Sequence, residues 1–246
     1  MITFSGLGNQ GRFANQLFQI ASTIGIAIKN GHTYGFPEWR YGKYFKSELH
    51  GIASLCEYSH FAESGFHYSD ISIPDNTDIS GYFQSEKYFK HCEYIIREQF
   101  EFKPEFIEPL KERYSHLLSN SVAIHVRRTD YVTNRNHLAL PYAYYNVAMR
   151  QFPNQIFVVF SDDIDFCKKT FSGNIVYASG RSDIEDFALM TLFKRHIIAN
   201  SSFSWWSAWL SKHTDKKVIA PKAWFGPGLK HTHNTQDLIP ERWIRI

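Results

Sequence analysis

Ser121-Val-Ala-Ile-His-Val-Arg-Arg-Thr-Asp-Tyr131 is the most informative stretch of this 246-residue chain. Its apolar first half has the length and composition of a buried strand, and charged residues begin where that strand ends. Alternation along the strand places His125 and Arg127 on one face, whereas Arg128 points elsewhere or lies in the loop. Two arginines at the carboxyl end of a parallel strand predict an anion-binding site, because ligands bind at that edge. The alternative is a surface ion pair of these arginines with Asp130.

The segments that follow alternate between short apolar strands and amphipathic helices. The predicted strands are 122–126, 155–160, 174–178, 196–199 and 217–220, and the predicted helices are 142–152, 162–171, 184–194 and 203–210. This alternation is typical of a parallel sheet with helices on both faces.

The N-terminal half opens with a predicted strand and glycine-rich turn at 2–11, followed by apolar residues at helical spacing that stop near Asn30-Gly31. Beyond it we predict a strand at 79–84, a helix within 85–102 and a helix at 104–118. The sequence therefore predicts an α/β protein of two lobes with a cleft. An irregular N-terminal lobe spans 1–120, and a Rossmann-like lobe with a parallel sheet spans 121–246.

Composition excludes several classes of protein. The formal charge of +3 is too small to predict a nucleic-acid surface. Cys56, Cys92 and Cys167 form no C-x-x-C pair, which favours buried structural thiols over a zinc or redox site. No signal-peptide pattern and no apolar run of 18 residues occurs, so we expect a cytoplasmic protein without a transmembrane segment. Peripheral attachment to a membrane stays open.

The segment Ser161-Asp162-Asp163 follows the predicted strand 155–160. One interpretation makes Ser161 or Asp162 the N-cap of the next helix. The other gives Asp162 a hydrogen bond to a nucleoside or a role in a D-x-D metal site. The metal site is the weaker of these, since two arginines already supply the positive charge that a cation would bring.

Three further positions carry polar groups that suit a nucleotide. The turn before the predicted helix 203–210 can bind phosphate through its amide N–H groups and Ser202, while Trp205, Trp206 and Trp209 are expected in the core. Asp186 in an apolar helix needs a partner, and a carboxylate pairs well with guanine. The glycine turn 11–16 is a weak phosphate motif at the first helix start.

These pieces together resemble the α-1,2-fucosyltransferases of glycosyltransferase family 11 and, more distantly, the α-1,6- and protein O-fucosyltransferases. The matching pieces keep the family order; they are 11–19, 81–88, His125–Tyr131, 160–163, 186–189 and 200–206. The H-x-R-R-x-D-Y piece is highly specific, and the others corroborate it.

The resemblance implies a GT-B-type architecture and GDP-β-L-fucose as the donor. It also implies inversion at the anomeric carbon and neither a metal nor another cofactor. The implied partner is a galactose-containing oligosaccharide, with O2 of galactose as the acceptor hydroxyl. Two alternatives remain: a transferase that uses another sugar nucleotide, and a catalytically silent carbohydrate-binding module with glycan-docking aromatics at 34–45 and 82–89.

The resemblance also implies roles for single residues. We expect the reaction to depend on Arg127, Arg128 and Asp130, with Arg127 at the β-phosphate. The expected donor-binding residues are His125 and Asp162 at the nucleotide, Asp186 at guanine, Ser202 and Phe203 beside the phosphates, and Arg12 and Asn15 facing the donor from the N-terminal lobe.

Two positions depart from the family pattern. Ala14 stands where the family usually has glycine. The α-1,6 relatives have a glutamate base five residues beyond the aspartate, but here that position is Arg135, so no base can be transferred. Asp130 is one candidate for a general base; the alternative is that the acceptor hydroxyl is deprotonated late and that no base takes part.

Overall fold

A computed structural model, which describes residues 1–52 and 57–246, divides the chain into two compact units. The first unit comprises Met1–Lys103 and His233–Pro240, and the second comprises Pro104–Thr232 and Glu241–Ile246. The sequence placed the division near residue 120. In the structure, the helix that begins at Pro104 belongs with the second unit, because it packs against a helix of that unit.

In its described residues, the first unit contains a four-stranded parallel sheet and two α-helices. Its strands are β1 (Ile2–Thr3), β2 (Tyr34–Gly35), β3 (Ser59–Ala62) and β4 (Thr77–Ser80), in the order β2-β1-β4-β3. Its helices are α1 (Phe13–Lys29) and α2 (Glu93–Gln99), with 3-10 turns at Gly42–Tyr44, Glu86–Tyr88 and Lys90–Cys92. The predicted end of α1 is confirmed. The predicted strand 79–84 is wrong beyond Ser80, because Gly81 and Phe83 adopt positive φ angles of 147° and 48°.

The second unit contains a six-stranded parallel sheet between helices. Its strands are β5 (Ser121–Val126), β6 (Ile156–Ser161), β7 (Ile175–Tyr177), β8 (Arg195–Ile197), β9 (Lys217–Ala220) and β10 (Ile244–Arg245). Its helices are α3 (Pro104–Leu118), α4 (Tyr142–Met149), α5 (Ile164–Thr170), α6 (Asp183–Thr191) and α7 (Ser202–Leu210), with a 3-10 turn at Thr129–Val132. The predicted α/β alternation is confirmed, whereas β2, β3 and β10 were not predicted.

The six strands lie in the order β10-β9-β8-β5-β6-β7, which creates a switch point. From β5 the chain builds β6 and β7 on one side, and it then returns to build β8, β9 and β10 on the other. The connections after β5 and β8 therefore run to opposite sides and leave a crevice at their carboxyl ends. Ligands of such sheets bind in that crevice.

Both faces of this sheet are buried, as an all-parallel sheet requires. Val122, Ile124 and Val126 point into one hydrophobic cluster, and Ala123 points into another. Trp205, Trp206 and Trp209 are fully buried, which confirms their expected place in the core. Cys92 and Cys167 are buried free thiols, and Cys56 lies outside the described residues.

Candidate active site

Arg127 lies directly after β5, at the predicted sheet edge, and two carboxylates hold its guanidinium. Its Nη1 donates to Asp162, and its Nη2 donates to Asp130. Asp162 also accepts from the backbone N–H of Arg128 at 2.9 Å and from the hydroxyl of Thr129. Asp162 thus ties the end of β6 to the loop after β5, and this loop fixes the direction of the guanidinium.

A stack of two rings supports one side of the same guanidinium. The ring of Tyr131 has its centroid 5.2 Å from the Arg127 Cζ, and His137 stacks on Tyr131 with centroids 4.5 Å apart. The side chain of Arg127 is 15% exposed. A cation held in this way needs little rearrangement when a ligand arrives.

Arg128 points to a different partner set, as the alternation predicted. Its Nε lies 3.4 Å from Asp163, and its Cζ lies 3.4 Å from the centroid of Phe166. Asp163 also caps α5, because its carboxylate accepts from the N–H of Phe166 at 3.1 Å. The interpretation of Ser161 or Asp162 as the N-cap is therefore wrong: Asp162 faces Arg127 instead.

The charged side chains at this edge form ion pairs, and these include the pair of Arg127 with Asp130 that the alternative to an anion-binding site predicts. Two guanidinium groups, Arg127 and Arg128, face three carboxylates, Asp130, Asp162 and Asp163. The local formal charge is therefore −1. An anion that binds here needs additional donors, or it must draw Arg127 away from a carboxylate.

His125, near the end of β5, is buried and lies against the start of α7. Its Nδ1 is 2.9 Å from the hydroxyl of Ser204, and its ring centroid is 5.3 Å from that of Phe203. Burial lowers the pKa of His125 to about 4, although Asp162 opposes this shift. His125 is thus a neutral hydrogen-bonding group at neutral pH.

Additional donors come from the N-terminus of α7, which follows β8 across the switch point. Ser201 caps this helix by accepting from the N–H of Phe203, and Ser202 is half-buried at its first position. The side-chain amide of Asn200 donates to the carbonyls of Leu138 and Trp224 at 2.9 and 2.8 Å, which fixes the turn. The first N–H groups of a helix attract anions.

Asp186 on α6 has a partner that the sequence analysis missed. The Nε of Arg181 donates to its carboxylate at 2.7 Å, and Nη1 of Arg181 donates to the hydroxyl of Tyr114 on α3. Burial raises the pKa of Asp186, and Arg181 opposes that shift. The signal that could have found this pair is an arginine just before an acidic helix start, with a carboxylate five residues on.

Arg12 and Asn15 belong to the first unit, at the start of α1. The carbonyl oxygen of the Asn15 side chain accepts from Gln84 at 3.0 Å, and Gln84 follows β4. This places Asn15 beyond the end of β4, which lies next to β1 in the first sheet. Arg12 is exposed. Sequence reasoning missed Glu63, which accepts from the backbone N–H groups of Tyr82 and Phe83 at 2.7 and 3.0 Å.

Residues 1–52 and 57–246 contain no group of three or more His, Cys, Asp or Glu side chains that could hold a metal ion. None of the helices in these ranges is long and apolar enough to cross a membrane.

Comparison with known proteins places the chain in a family. The pattern of glycosyl transferase family 11 matches residues 43–246. The chain is 35% identical over 209 residues to an alpha-1,2-colitosyltransferase from Escherichia coli, which covers 78% of this chain and 70% of that protein. It is 26% identical over 233 residues to galactoside alpha-(1,2)-fucosyltransferase 1 from Ateles belzebuth, which covers 82% of this chain and 63% of that protein.

The fold also has a counterpart among solved structures. The structure of POFUT1 in complex with GDP matches with a TM-score of 0.56 at 13% identity, covering 89% of this chain and 97% of that chain. This likeness confirms the expected GT-B-like α/β fold. The family match spans most of the chain and includes the whole of the second unit's sheet. The chain therefore belongs to glycosyltransferase family 11 and is a glycosyltransferase.

Proposed function

We propose that this glycosyltransferase transfers L-fucose from GDP-β-L-fucose to a glycan, at O2 of a galactose residue. The transfer inverts the anomeric carbon and needs neither a metal nor another cofactor. Family membership supports a sugar-nucleotide donor. Two relatives support the acceptor hydroxyl, because both are named for an α-1,2 linkage.

The observation that carries the proposal is the Arg127 guanidinium at the switch point, in the loop after β5, while α7 begins after the neighbouring strand β8. When the fucosyl–phosphate bond breaks, negative charge accumulates on the departing GDP. Arg127 and the backbone N–H at Ser202 stabilise that charge more strongly in the transition state than in the ground state. Asp162 keeps Arg127 in place through its ion pair with Nη1.

The other site residues bind the nucleotide. His125 is neutral and hydrogen-bonds to it. Asp186 accepts from the N1–H and N2 amino group of guanine. Arg12 and Asn15 contact the donor or the reaction centre from the first unit. Asp130 is the candidate base for the acceptor hydroxyl, since its carboxylate is 44% exposed and contacts Arg127.

A second candidate donor is favoured by the relative with 35% identity, whose name states that it transfers colitose. Colitose is fucose without its 3-hydroxyl, so one site can accommodate both sugars. A site that hydrogen-bonds the 3-hydroxyl rejects colitose strongly, whereas an apolar contact there discriminates weakly. Parallel assays with GDP-fucose and GDP-colitose distinguish these two donors.

The central experiment measures turnover of Arg127→Ala at saturating GDP-fucose. We expect a loss of about a hundredfold, because one transition-state donor is worth about 3 kcal/mol. Arg127→Lys keeps the charge but loses the two-carboxylate geometry and recovers only part of the rate. Arg150→Ala is the matched control, since Arg150 is an exposed arginine of the same unit. Turnover of Arg127→Ala close to that of Arg150→Ala contradicts the proposed role.

The substrate and metal claims are tested together. GDP-fucose is incubated with an array of glycan acceptors, with and without a chelator, and UDP-galactose serves as the control donor. Fucosylation of galactose-terminated acceptors that persists in chelator supports the proposal. Loss of activity in chelator contradicts the metal-free mechanism, and donor binding without any product favours a carbohydrate-binding protein.

A further inference from the structure

Arg181 is buried in the second unit, in the loop between β7 and α6. Only 5% of its side chain is exposed, which is uncommon for arginine. Its Nε donates to Asp186 at 2.7 Å, and its Nη1 donates to the Tyr114 hydroxyl. Its Cζ lies 4.8 Å from the centroid of the Tyr114 ring. Three elements, the loop, α6 and α3, therefore fix one guanidinium against one carboxylate.

The carboxylate of Asp186 is less buried than its partner. It is 21% exposed, and its hydrogen bond to Arg181 uses Oδ1. Arg181 therefore fixes one oxygen from within the protein, which leaves the carboxylate able to accept from a ligand. A side chain held by a buried ion pair keeps a single orientation, and specific recognition needs this.

Several charges act on Asp186. Burial raises its pKa most, Arg181 lowers it, and Asp183 and Glu185 on α6 raise it slightly further. From α3, Tyr114 contacts Arg181, and Arg113 acts on Glu185. The ionised form of Asp186 therefore depends on the guanidinium that contacts it.

We propose that Arg181 is a positioning residue that holds Asp186 in its orientation toward guanine, and so determines the preference of this site for GDP over IDP. The proposal rests on the proposed function, in which Asp186 binds the base of the donor. IDP carries hypoxanthine, which keeps N1–H and O6 but lacks the N2 amino group. The ratio of the two dissociation constants therefore measures the contact between the carboxylate and the amino group.

Each oxygen of an ionised carboxylate has two lone pairs, so Asp186 can accept from the two donors of guanine while Oδ1 also accepts from Arg181. A protonated carboxyl group presents a donor of its own, and a donor facing a donor repels. Loss of Arg181 removes a cation that opposes protonation, so the pKa of Asp186 rises further. The preference for GDP must then weaken as the pH falls and recover as the pH rises.

The experiment measures dissociation constants of GDP and IDP by calorimetry from about pH 5.5 to about pH 8, because burial raises the pKa of Asp186 and loss of Arg181 raises it further. The wild-type chain should prefer GDP by about tenfold across this range. In Arg181→Met this preference should disappear at the acidic end and return at the basic end. Arg181→Lys should retain more of it, because the charge remains. Arg113→Met is the control and should behave as wild type.

The possible outcomes test separately the role of Arg181, guanine recognition by Asp186 and the proposed function. If Arg181→Met keeps the wild-type preference for GDP at every pH, the proposal is overturned. If Arg181→Met loses this preference equally at every pH, the proposal is also overturned, because such a loss indicates only a structural role. If Arg181→Met does not fold, Tyr114→Phe loosens the guanidinium while leaving the ion pair, and it should show the same trend more weakly. Equal binding of GDP and IDP by wild type overturns guanine recognition by Asp186. Equal binding of GDP and UDP contradicts the proposed function itself.

Discussion

At the scale of single residues, the sheet edge combines positive and negative groups rather than positive charge alone. Arg127 and Arg128 are both paired with aspartates, and the five side chains sum to a formal charge of −1. A site with this charge balance binds an anion through the fixed orientation of its donors and not through net positive charge. The carboxylates hold Arg127 beside the position that the leaving phosphate occupies, and helix N–H groups supply further donors.

This balance yields a prediction for Asp130→Asn, in which binding and turnover move in opposite directions. Removal of one carboxylate makes the cluster neutral, so GDP should bind several-fold more tightly at low salt, an effect on the order of 1 kcal/mol that fades as salt is added. Turnover should fall by about a hundredfold or more if Asp130 is the base. Calorimetry with GDP and steady-state kinetics measure the two effects.

Asp165→Asn is the control for that experiment, because Asp165 lies on α5 near the same strands but is 87% exposed. It should change neither quantity. Tighter GDP binding with unchanged turnover in Asp130→Asn would show that Asp130 only competes for Arg127. Weaker binding would contradict the electrostatic argument.

At the scale of elements, two neighbouring strands carry buried histidines. His125 lies on β5 and His196 on β8, and burial lowers their pKa values to about 4 and about 3. His196 is tied to the carbonyl of Phe193 at 2.9 Å. Both must stay neutral for these strands to remain packed.

Acid should therefore destabilise the sheet of the second unit. In the unfolded chain both histidines have ordinary pKa values near 6.5, so the unfolded state binds more protons than the folded state below that pH. The free energy of unfolding should fall from about pH 6.5 toward about pH 4 by up to about 1.4 kcal/mol per pH unit for each histidine. Urea unfolding at several pH values measures this slope.

His196→Gln tests the assignment, since glutamine can donate to Phe193 without titrating. The slope of its unfolding free energy against pH should be smaller than that of wild type by the contribution of about one proton. The exposed His116 provides the control, because His116→Gln should keep the wild-type slope. An unchanged slope in His196→Gln would contradict this origin of the acid sensitivity.

In helix α1, helix propensity and packing are expected to have opposite effects on the stability of a Gly25→Ala variant. Alanine is favoured over glycine inside a helix by about 1 kcal/mol. A Cβ atom at Gly25, however, would lie 2.1 Å from the carbonyl oxygen of Tyr88 and 2.8 Å from the Cα of Phe89. We expect Gly25→Ala to destabilise the first unit by about 1–3 kcal/mol, because backbone must move.

The thermal midpoint of Gly25→Ala measures this effect. Gly51→Ala is the matched control in the same unit, since a Cβ atom there meets no atom within 4 Å. A midpoint for Gly25→Ala above that of wild type would show that propensity dominates and that the close approach relaxes.

At the scale of the whole molecule, the chain has two units that each carry a parallel sheet, and the sheet of the second unit has a switch point. The proposed phosphate-binding groups all follow strands of the second unit. GDP should therefore lower hydrogen exchange of the amides at 127–131 and 201–204, since binding stabilises the folded segments that it contacts. UDP at the same concentration should protect these amides less. Protection confined to 1–103 would contradict the placement of the diphosphate.

The sequence predicted the second unit well because its signals are local. Each strand from β5 to β9 is a short apolar run next to an amphipathic helix, and α3 was predicted with its observed bounds. The first unit was harder, because β2 is two residues long and β3 is largely exposed, so neither carries an apolar pattern. The strand predicted at 79–84 failed because Glu63 holds Tyr82 and Phe83 in a turn.

For the site, the sequence by itself determined which residue types stand at the strand ends and which family they match. The H-x-R-R-x-D-Y order is a local pattern, and it leads to Arg127 without any coordinates. Only the tertiary structure decided that Asp162 holds Arg127 while Asp163 caps α5, and that Arg181 and Tyr114 support Asp186. Asp162 is 35 residues from Arg127 along the chain, and Tyr114 is 67 residues from Arg181. Contacts over such distances arise when strands pair and helices pack, so no periodicity in the sequence records them.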